Sequence, residues 1–366
     1  MIIVRYGEIA LKGKNRRRFE EKLKNDILNV LKRNGFEADF NLLWGRILVY
    51  VPDEAAEIIK KVPGIVSISI AQEMEYDEIK PFLSRELRKY NPESFRITAH
   101  RVDKKFPKTS MDIDKEIGAF VVEKFGWKVD LKKPELNIGI EIIDGKAYVF
   151  FEKISGIGGL PSGSQGKLVS LISGGIDSPV ATFMMLKRGV EVIAVHFYQS
   201  QKGKEQVEEI VRVLNNYSVR NIELVAVDHH EAMEPIVSVL KDINRLEWTC
   251  LFCKINMLKT AERIAKRRGA LGIIMGDSLG QVASQTLANL YIESSCVDVP
   301  IYRPLIGLDK EEIVQISKRI GTFDVFMKNP NTKCTFLPDR VVTKGNPREF
   351  ERIMSIFEEK GIFERR

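Results

Sequence analysis

The stretch SGGIDS, residues 173–178, decides how the second half of this chain is interpreted. It follows the apolar run KLVSLI (167–172) and precedes PVATFMMLKRG (179–189), which has a helical pattern. A short apolar run followed by such a pattern predicts a strand, a turn and a helix. Ligands of open parallel sheets bind beyond the carboxyl ends of the strands. The sequence therefore predicts a nucleotide-binding turn at this position.

The residue types in the turn suit a phosphate ligand. Gly174 and Gly175 allow a positive φ and a close approach of the backbone to a phosphate, and Ser173 and Ser178 supply hydroxyl groups. Backbone N–H groups at the start of the following helix favour an anion. Asp177 is predicted either to orient the turn or to hold a magnesium ion. A Walker A loop is excluded, because Pro161 and Leu168 stand where that motif requires Gly and Ser or Thr.

The pattern around this turn divides the chain into three parts. After the turn, near-continuous apolar runs such as VEVIAVHFY alternate with helical patterns such as EQVEEIVRVLNN. This alternation predicts a doubly wound parallel sheet, and the preceding α/β patterns predict two small domains. The predicted boundaries are an N-terminal α+β domain at 1–52, a second α/β domain at 53–158, a Gly/Ser-rich linker at 159–166, the parallel-sheet domain at 167–340 and a C-terminal helical tail at 341–366.

Composition narrows the class of protein. The 366 residues include 44% hydrophobic and 29% charged residues, and no window has the roughly 20 apolar residues of a spanning helix. The N-terminus has its apolar residues before its charges, which reverses the order of a secretory signal. We therefore expect a cytoplasmic protein with no membrane partner.

Basic residues cluster in two places. The net charge is +7, and the first 50 residues hold 11 Lys or Arg against 6 Asp or Glu. These clusters suit the phosphates of a nucleic acid, although each one could also be a solvated surface. The candidate RNA-binding residues are Lys12, Lys14, Arg16, Arg17 and Arg18 in the first cluster and Arg101, Lys104, Lys105 and Lys108 in the second.

The chain has four cysteines, too few for a disulfide scaffold in a cytosolic protein. Cys250 and Cys253 form a Cys-x-x-Cys pair, which indicates metal or sulfur chemistry rather than a structural disulfide. Cys296 has no such spacing and is predicted to be a buried small hydrophobic residue.

Four motifs give the chain a family resemblance: RYGEIALKGKNRRRFE, LISGGIDSPVA, MGDSLGQVASQTLANL and RPLIGLDKEEI. Through SGGIDS the chain resembles the PP-loop ATP pyrophosphatases. Together the motifs are similar to those of the tRNA 4-thiouridine synthetases, or tRNA uracil 4-sulfurtransferases, over nearly the whole chain. The resemblance implies a ferredoxin-like domain at 1–52, a THUMP RNA-binding domain at 53–158 and a PP-loop domain at 167–340.

The resemblance also implies site residues. Asp177 and Cys334 would be catalytic, and ATP would lie against the turn. The residues that match ATP-contacting positions of the family are Leu171, Ile172, Ser173, Gly174, Gly175, Asp177, Ser178, His196, Phe197, Lys254, Gly276, Gln285 and Lys310. Of these, Gly276 also has support from its place at the end of an apolar run.

The implied reaction adenylates the C4 oxygen of uridine 8 in tRNA and replaces that oxygen with sulfur, releasing AMP and pyrophosphate. Many relatives end in a rhodanese domain, but this sequence ends at Arg366 and we expect none. Cys250, Cys253 and Cys334 match a three-cysteine set that binds an iron–sulfur cluster in members without that domain. A persulfide or redox thiol set and a structural zinc site stay open as alternatives.

The implied partners are tRNA and a sulfur donor, either sulfide or a persulfide-carrying protein. A sulfur-carrier protein would be a further partner if the chain also serves thiamine thiazole synthesis, as some relatives do. We expect tRNA recognition through phosphates and sugars rather than a stacking surface, and a homodimer. Two other functions stay open: a PP-loop enzyme that adenylates a small molecule, and a non-enzymatic RNA-binding module.

Overall fold

The first strand of the chain lies at the centre of an antiparallel sheet. A computed structural model describes residues 1–102, 104–282, 284–329 and 334–364, and divides into an N-terminal unit, Met1–Pro161, and a C-terminal unit, Ser162–Arg366. The strands of the N-terminal unit are β1 (Ile2–Tyr6), β2 (Asp39–Leu43), β3 (Arg46–Tyr50), β4 (Ile65–Ile70), β5 (Gln72–Met74), β6 (Ser94–Arg101), β7 (Lys128–Val129), β8 (Leu136–Ile143), β9 (Lys146–Phe150) and β10 (Ile154–Ser155). Its helices are α1 (Arg16–Arg33), α2 (Ala56–Ile59), α3 (Ile79–Glu86) and α4 (Ser110–Phe125).

The first sheet has the order β10-β4-β1-β3-β2 with antiparallel pairing throughout. Every residue of β1 is buried, so both faces of this central strand are covered. The apolar stripe of α1 buries Leu23, Ile27 and Leu31 fully, whereas Phe19 lies partly exposed beneath the ammonium group of Lys12. The sheet includes β4 and therefore extends beyond residue 52, the predicted end of the first domain.

The second sheet has the order β5-β9-β8-β6-β7. Its β8–β9 hairpin turns at Asp144 and Gly145, which have φ values of 51° and 80°, as a two-residue hairpin turn requires. The helix α4 begins at Ser110. The reason is a capping box at Thr109, whose side chain accepts from Asp112 N.

A buried ion network joins the two sheets of the N-terminal unit. Glu141 accepts from Arg5 Nε at 2.7 Å and from Arg46 Nε at 2.6 Å, and Arg5 Nη1 donates to Ser69 Oγ at 2.9 Å. The guanidinium groups hold the pKa of Glu141 below its usual value although burial alone would raise it. Because removing one partner of a buried pair leaves an uncompensated charge, these side chains fix the sheets to each other.

The C-terminal unit has one sheet in which every strand is parallel to its neighbours. Its strands are β11 (Lys167–Leu171), β12 (Glu191–Tyr198), β13 (Glu223–Asp228), β14 (Ile273–Ile274) and β15 (Ile301–Tyr302). Its helices are α5 (Asp177–Lys187), α6 (Gln201–Leu214), α7 (His229–Asp242), α8 (Thr249–Arg268), α9 (Leu287–Ser295), α10 (Lys310–Ile320), α11 (Thr322–Lys328) and α12 (Pro347–Glu359).

The strand order of this sheet is β13-β12-β11-β14-β15. The chain builds outward from β11 in one direction through β12 and β13, and then crosses to the other side of β11 for β14. The order therefore reverses between β11 and β14, and such a switch point opens the crevice in which these sheets bind ligands. The doubly wound prediction is confirmed, and the SGGIDS turn lies at this crevice.

The end of the chain packs into the same core. The predicted C-terminal tail contains α12, whose Phe350 and Phe357 lie with their rings 5.6 and 4.6 Å from that of Phe252 on α8. Among the residues that the structure describes, no helix is both long and apolar enough to cross a lipid bilayer.

Candidate active site

Two serines close the SGGIDS turn between β11 and α5. Ser173 N donates to Ser178 Oγ at 2.8 Å, the two hydroxyl oxygens lie 3.0 Å apart, and Gly175 N donates to Ser173 Oγ at 3.3 Å. The hydroxyl groups therefore hold the turn against the first residues of α5. This arrangement leaves the start of an 11-residue helix at the crevice, where backbone donors and the helix dipole favour an anion.

The glycines of the turn have a different role from the predicted one. Neither Gly174 nor Gly175 has a positive φ, so the expected left-handed backbone was wrong. A Cβ on Gly174 would lie 2.9 Å from Gln206 Oε1. The side chain of Gln206 crosses the turn and its Nε2 donates to the carbonyl of Gly174 at 3.3 Å. Glycine is therefore required at position 174 because any side chain there would occupy the space of Gln206.

Gly276, which follows β14, is required by a close approach of two backbones. A Cβ at this position would lie 2.7 Å from Ser178 N and 2.8 Å from Ser178 Cα. The loop after β14 thus packs directly against the first turn of α5. The prediction that Gly276 lies beside the phosphate-binding turn agrees with this contact.

We expect Gly276→Ala to destabilise the C-terminal unit, because the added methyl group meets backbone atoms that cannot rotate away. The expected loss in free energy of unfolding is about 1–3 kcal/mol, together with weaker ATP binding. Chemical denaturation and ATP titration would measure both. Gly307→Ala is the matched control, since a Cβ at Gly307 meets nothing within 4 Å. Equal stability of the two variants would contradict the prediction.

Asp177, the first residue of α5, contacts two side chains from distant parts of the chain. Lys310 Nζ donates to Asp177 Oδ1 at 2.6 Å, and Gln281 Nε2 donates to Asp177 Oδ2 at 2.8 Å. Lys310 is the first residue of α10, whose start is fixed by a capping box at Asp309. The carboxylate therefore holds a cation at the mouth of the crevice.

A second charged cluster lies behind Gly276. Asp277 contacts Lys254 Nζ through Oδ1 and Arg303 Nε through Oδ2, both at 3.0 Å. Glu293 makes ion pairs with Lys254 at 3.2 Å and with Arg303 at 3.4 Å. Gln285 Nε2 donates to Asp277 Oδ1 at 3.4 Å. Two buried carboxylates and two cations balance their charges and connect α8, α9 and the ends of β14 and β15.

The charged side chains of this cluster shift one another's pKa values. Burial alone would lower the pKa of Lys254, but the carboxylates of Asp277 and Glu293 raise it above its usual value. Burial raises the pKa of Glu293 in spite of the two cations. Lys254 is thus a protonated ammonium group held by carboxylates. Sequence reasoning missed Glu293 and Arg303, although Arg303 begins one of the motifs that carry the family resemblance.

His196 lies at the end of β12, beside β11. Its Nδ1 is 3.0 Å from the carbonyl oxygen of Ile172, so Nδ1 carries the proton and Nε2 is a bare acceptor. Burial lowers the pKa of this imidazole, which is therefore neutral at physiological pH. Its Nε2 is buried with no hydrogen-bond partner among the described residues.

Other residues predicted to contact ATP have buried side chains. Leu171 and Phe197 belong to the apolar core beneath the crevice, and Ile172 is also buried. The side chains of Leu171 and Phe197 pack with strand residues such as Val169. A contact from Leu171 or Phe197 to a nucleotide would therefore come from the backbone.

The three predicted sulfur ligands share one region of the C-terminal unit. Cys250 and Cys253 lie one turn apart at the start of α8, and both interact electrostatically with Cys334. Burial, followed by repulsion from Cys334 and Cys250, raises the pKa of Cys253 to about 12. Burial and Cys334 likewise raise the pKa of Cys250. These cysteines are free thiols. Cys296 is buried, as predicted, in the apolar cluster against which Cys253 packs.

Two histidines that sequence reasoning missed lie beside these thiols. His229 Nε2 is 3.4 Å from Cys253 Sγ, and His230 Nε2 is 3.3 Å from Thr335 Oγ1. The ring of Phe336 lies 5.6 Å from that of His229 and 4.9 Å from that of His230. The start of α7 therefore packs against the segment that carries Cys334. The dipeptide His229-His230 follows an apolar strand, which was the available signal.

The donor set of these cysteines suits a metal ion or a cluster. Three thiols in one region are soft ligands, and a bound cation would favour the thiolate forms of Cys250 and Cys253 in spite of their raised pKa values. Within 1–102, 104–282, 284–329 and 334–364, no group of three His, Cys, Asp or Glu side chains is placed to hold a metal ion. Residues 330–333, which precede Cys334, lie outside this description.

The basic residues of the N-terminal unit differ in exposure, and several of them make local contacts. Lys14, Arg17, Arg18, Lys104 and Lys105 are exposed, whereas Lys12 lies over the ring of Phe19. Arg16 is held by Glu20, Arg101 donates to the carbonyls of Phe106 and Lys108, and the ammonium group of Lys108 pairs with Glu116. The structure thus places Arg16, Arg101 and Lys108 in local contacts rather than on a free surface.

Known families match three consecutive parts of the chain. The ThiI ferredoxin-like domain matches residues 1–69, the THUMP domain matches residues 76–152, and the family described as Thiamine biosynthesis protein (ThiI) matches residues 163–358. The last of these covers more than half of the chain and includes the SGGIDS turn, the charged cluster and Cys334.

Curated relatives match almost from end to end. A probable tRNA sulfurtransferase of Thermococcus kodakarensis is 45% identical over 98% of this chain and 98% of its own length. A second, from Methanocaldococcus jannaschii, is 43% identical over 96% of both chains. The crystal structure of a 4-thiouridine synthetase–RNA complex with bound ATP is 33% identical, has a TM-score of 0.84, and covers 100% of this chain and 98% of the other.

Proposed function

The chain belongs to the ThiI family of tRNA sulfurtransferases, and on that premise we propose that it converts uridine 8 of tRNA into 4-thiouridine at the expense of ATP. The chain is an ATP-dependent tRNA sulfurtransferase. The observation that supports ATP is the SGGIDS turn at the switch point, with Asp177 and Lys310 in contact beside it. The likeness to a 4-thiouridine synthetase–RNA complex supports uridine. Because tRNA is the proposed substrate, we also expect the protein to act in the cytoplasm.

The proposed first step makes the uridine oxygen a good leaving group. The C4 oxygen attacks the α-phosphorus of ATP, the bond to the β-phosphate breaks, and pyrophosphate leaves. The start of α5 and the ammonium group of Lys310 would stabilise the charge of the departing pyrophosphate. Asp177 positions that ammonium group, and the charge-balanced pair of Lys254 and Asp277 lies behind it.

Magnesium is part of this proposal. Mg²⁺ binds proteins through one or two carboxylates together with phosphate oxygens and water, and Asp177 is the carboxylate at the mouth of the crevice. When bound, the ion would neutralise charge on the phosphates. The His196 Nε2, a buried acceptor without a partner among the described residues, suits an N–H group of the nucleotide.

The proposed second step replaces AMP by sulfur. A sulfur nucleophile adds to C4, the C–O bond breaks, and AMP leaves with the original uridine oxygen, so that C4 retains sulfur. Sulfide would supply this atom directly. A persulfide-carrying protein would instead add its terminal sulfur to C4, and Cys334, the proposed catalytic thiol, would then attack the donor's sulfur, which releases 4-thiouridine and leaves a disulfide between Cys334 and the donor. The family alone suggests a further role in thiamine synthesis with a sulfur-carrier protein. The homodimer is a separate prediction, which light scattering would test.

We propose that Cys250, Cys253 and Cys334 hold an iron–sulfur cluster, supported by their shared region and their free, half-buried thiols. When bound, a three-cysteine cluster supplies an iron with an open position for sulfur. Iron and sulfide analysis of anaerobically purified protein tests this, with Cys250→Ser beside Cys296→Ser. Fully active protein without metal would instead support a persulfide thiol set.

The function is tested by pyrophosphate release. With ATP, release is expected to require tRNA and to fall to background when cytidine replaces uridine 8. Release without tRNA would favour an enzyme that adenylates a small molecule. Tight tRNA binding without any release, under conditions that support ATP binding, would favour a non-enzymatic RNA-binding module.

A further inference from the structure

An exposed tryptophan lies at the tip of the β2–β3 hairpin in the N-terminal unit. Trp44 is 75% exposed, although the exposure of a large aromatic ring to water is usually unfavourable. The next residue, Gly45, has a φ of 76° and makes the tight turn that carries the ring. The hairpin therefore presents an indole to solvent at a fixed place in the fold.

The indole is supported on one face by a guanidinium group that is itself fixed. The Cζ atom of Arg16 lies 3.9 Å from the centre of the ring. Arg16 Nε donates to Glu20 Oε1 at 2.7 Å, and its Nη2 donates to the hydroxyl group of Tyr6 at 3.1 Å. Only 15% of the Arg16 side chain is exposed. Glu20 balances its charge, so Arg16 serves to hold the ring rather than to bind phosphate.

The opposite face of the indole is open. Of the ring and cation contacts among the described residues, Arg16 makes the one that involves Trp44. The high exposure of the side chain places most of its remaining surface in solvent. A planar ring held on one side and free on the other is suited to stack against a second flat group.

Three exposed cations lie in the sequence beside Arg16, which supports this ring. Lys14, Arg17 and Arg18 flank Arg16 in the sequence and are exposed. Across the described parts of the chain, none of the three makes a salt bridge. Lys14 lies just before α1 and the two arginines lie in its first turn, where the helix dipole does not favour them. Cations kept at an unfavourable place suit an anionic partner.

We propose that Trp44 stacks on an unpaired base of the RNA substrate while Lys14, Arg17 and Arg18 bind the adjoining phosphates. This inference rests on the proposed function, since it takes the partner to be RNA. An aromatic ring beside a basic groove is the arrangement by which proteins bind single-stranded nucleic acid. The faces of paired bases are hidden within a duplex, so the partner segment must be unpaired.

Tryptophan fluorescence of the full chain tests the contact. Trp248 is 2% exposed and Trp127 packs against Phe95 and Phe125, so Trp44 is the exposed indole of the three. We expect a short single-stranded oligoadenylate to quench the wild-type emission, and a blunt RNA duplex of equal length to quench it less. Trp44→Phe is expected to lose this quenching and to keep most of the affinity.

Affinity for tRNA provides the second measurement. Trp44→Ala is expected to weaken tRNA binding about 10-fold, since stacking on an aromatic ring contributes strongly per base. Leu271→Ala, an exposed apolar residue of the C-terminal unit, is the matched control and should bind as the wild type does. Arg17→Ala is expected to reduce the dependence of the affinity on salt.

The outcomes separate this inference from the proposed function. If the wild type binds tRNA and Trp44→Ala binds it equally well without any loss of quenching, the stacking site is refuted and the proposed function stands. If the wild type binds neither tRNA nor the oligonucleotide, the stacking site and the proposed function are both refuted. A change of molecular mass in Trp44→Ala without RNA would assign the ring to a contact with a second copy and would overturn the inference.

Discussion

Replacing Asp177 by Asn is expected to lower the rate of tRNA thiolation at least about 100-fold, because the variant no longer holds the ammonium group of Lys310 by an ion pair. Asn has nearly the same shape as Asp, so the fold and the contact with Gln281 can persist. The effect belongs to the first step, and pyrophosphate release should fall as far as 4-thiouridine formation. Both products are measured in the same reaction.

The control for Asp177→Asn is Asp242→Asn, which makes the same chemical change at an exposed position on α7. It should leave both rates unchanged. The affinity of Asp177→Asn for tRNA should equal that of the wild type, since binding is assigned to the N-terminal unit. A variant that keeps its full rate of pyrophosphate release would show that the Asp177–Lys310 pair has no part in the reaction.

Replacing Cys334 by Ala is expected to abolish sulfur transfer, with a loss of more than about 100-fold in 4-thiouridine formation. The reason is that Cys334 is the proposed catalytic thiol and interacts electrostatically with Cys250 and Cys253. The chemistry at the phosphates does not involve this thiol. Pyrophosphate release that depends on tRNA should therefore continue, and the two steps become separable.

Cys296→Ala is the matched control for Cys334→Ala, because Cys296 is buried in the same unit and interacts with the carbonyl of Ile292 at 3.1 Å. Its thiolation rate should stay near that of the wild type. Equal loss of pyrophosphate release and thiolation in Cys334→Ala would place this cysteine in the first step. Normal thiolation by the variant would remove it from the reaction.

The fold of the C-terminal unit could be predicted because its signals are local. Near-continuous apolar strands alternate with amphipathic helices, and this pattern alone indicates a parallel sheet with helices on both faces. The position of the SGGIDS turn after the first of these strands could be predicted for the same reason. The neighbour of β11 could not, since β14 is only two residues long and its place depends on a crossover.

Contacts between side chains that lie far apart in the sequence could not be predicted from it. Lys310 lies 133 positions from Asp177, and nothing in the spacing of either residue predicts their contact. The cluster around Asp277 likewise draws its members from four separate elements, and Glu293 lies in an ordinary helical pattern. Periodicity reports which face of a helix is buried, but it does not report which charge that face meets.

In the N-terminal unit, counting charged residues could not predict which cations are exposed and which are paired. The cluster at residues 12–18 is real, but Arg16 within it is enclosed by Glu20, Tyr6 and Trp44. A sequence cannot distinguish a solvated cation from a paired one. The expectation that tRNA is recognised without stacking rested on composition, and the exposed ring of Trp44 offers a stacking surface that composition could not show.

The most direct test of the account is mass analysis of the nucleosides of tRNA after incubation with the protein, ATP and sulfide under anaerobic conditions. The account predicts 4-thiouridine at position 8 that forms only when ATP is present and disappears with Asp177→Asn. Thiolation without ATP, thiolation at another position, or unmodified tRNA in the presence of protein that binds both ATP and tRNA would contradict it.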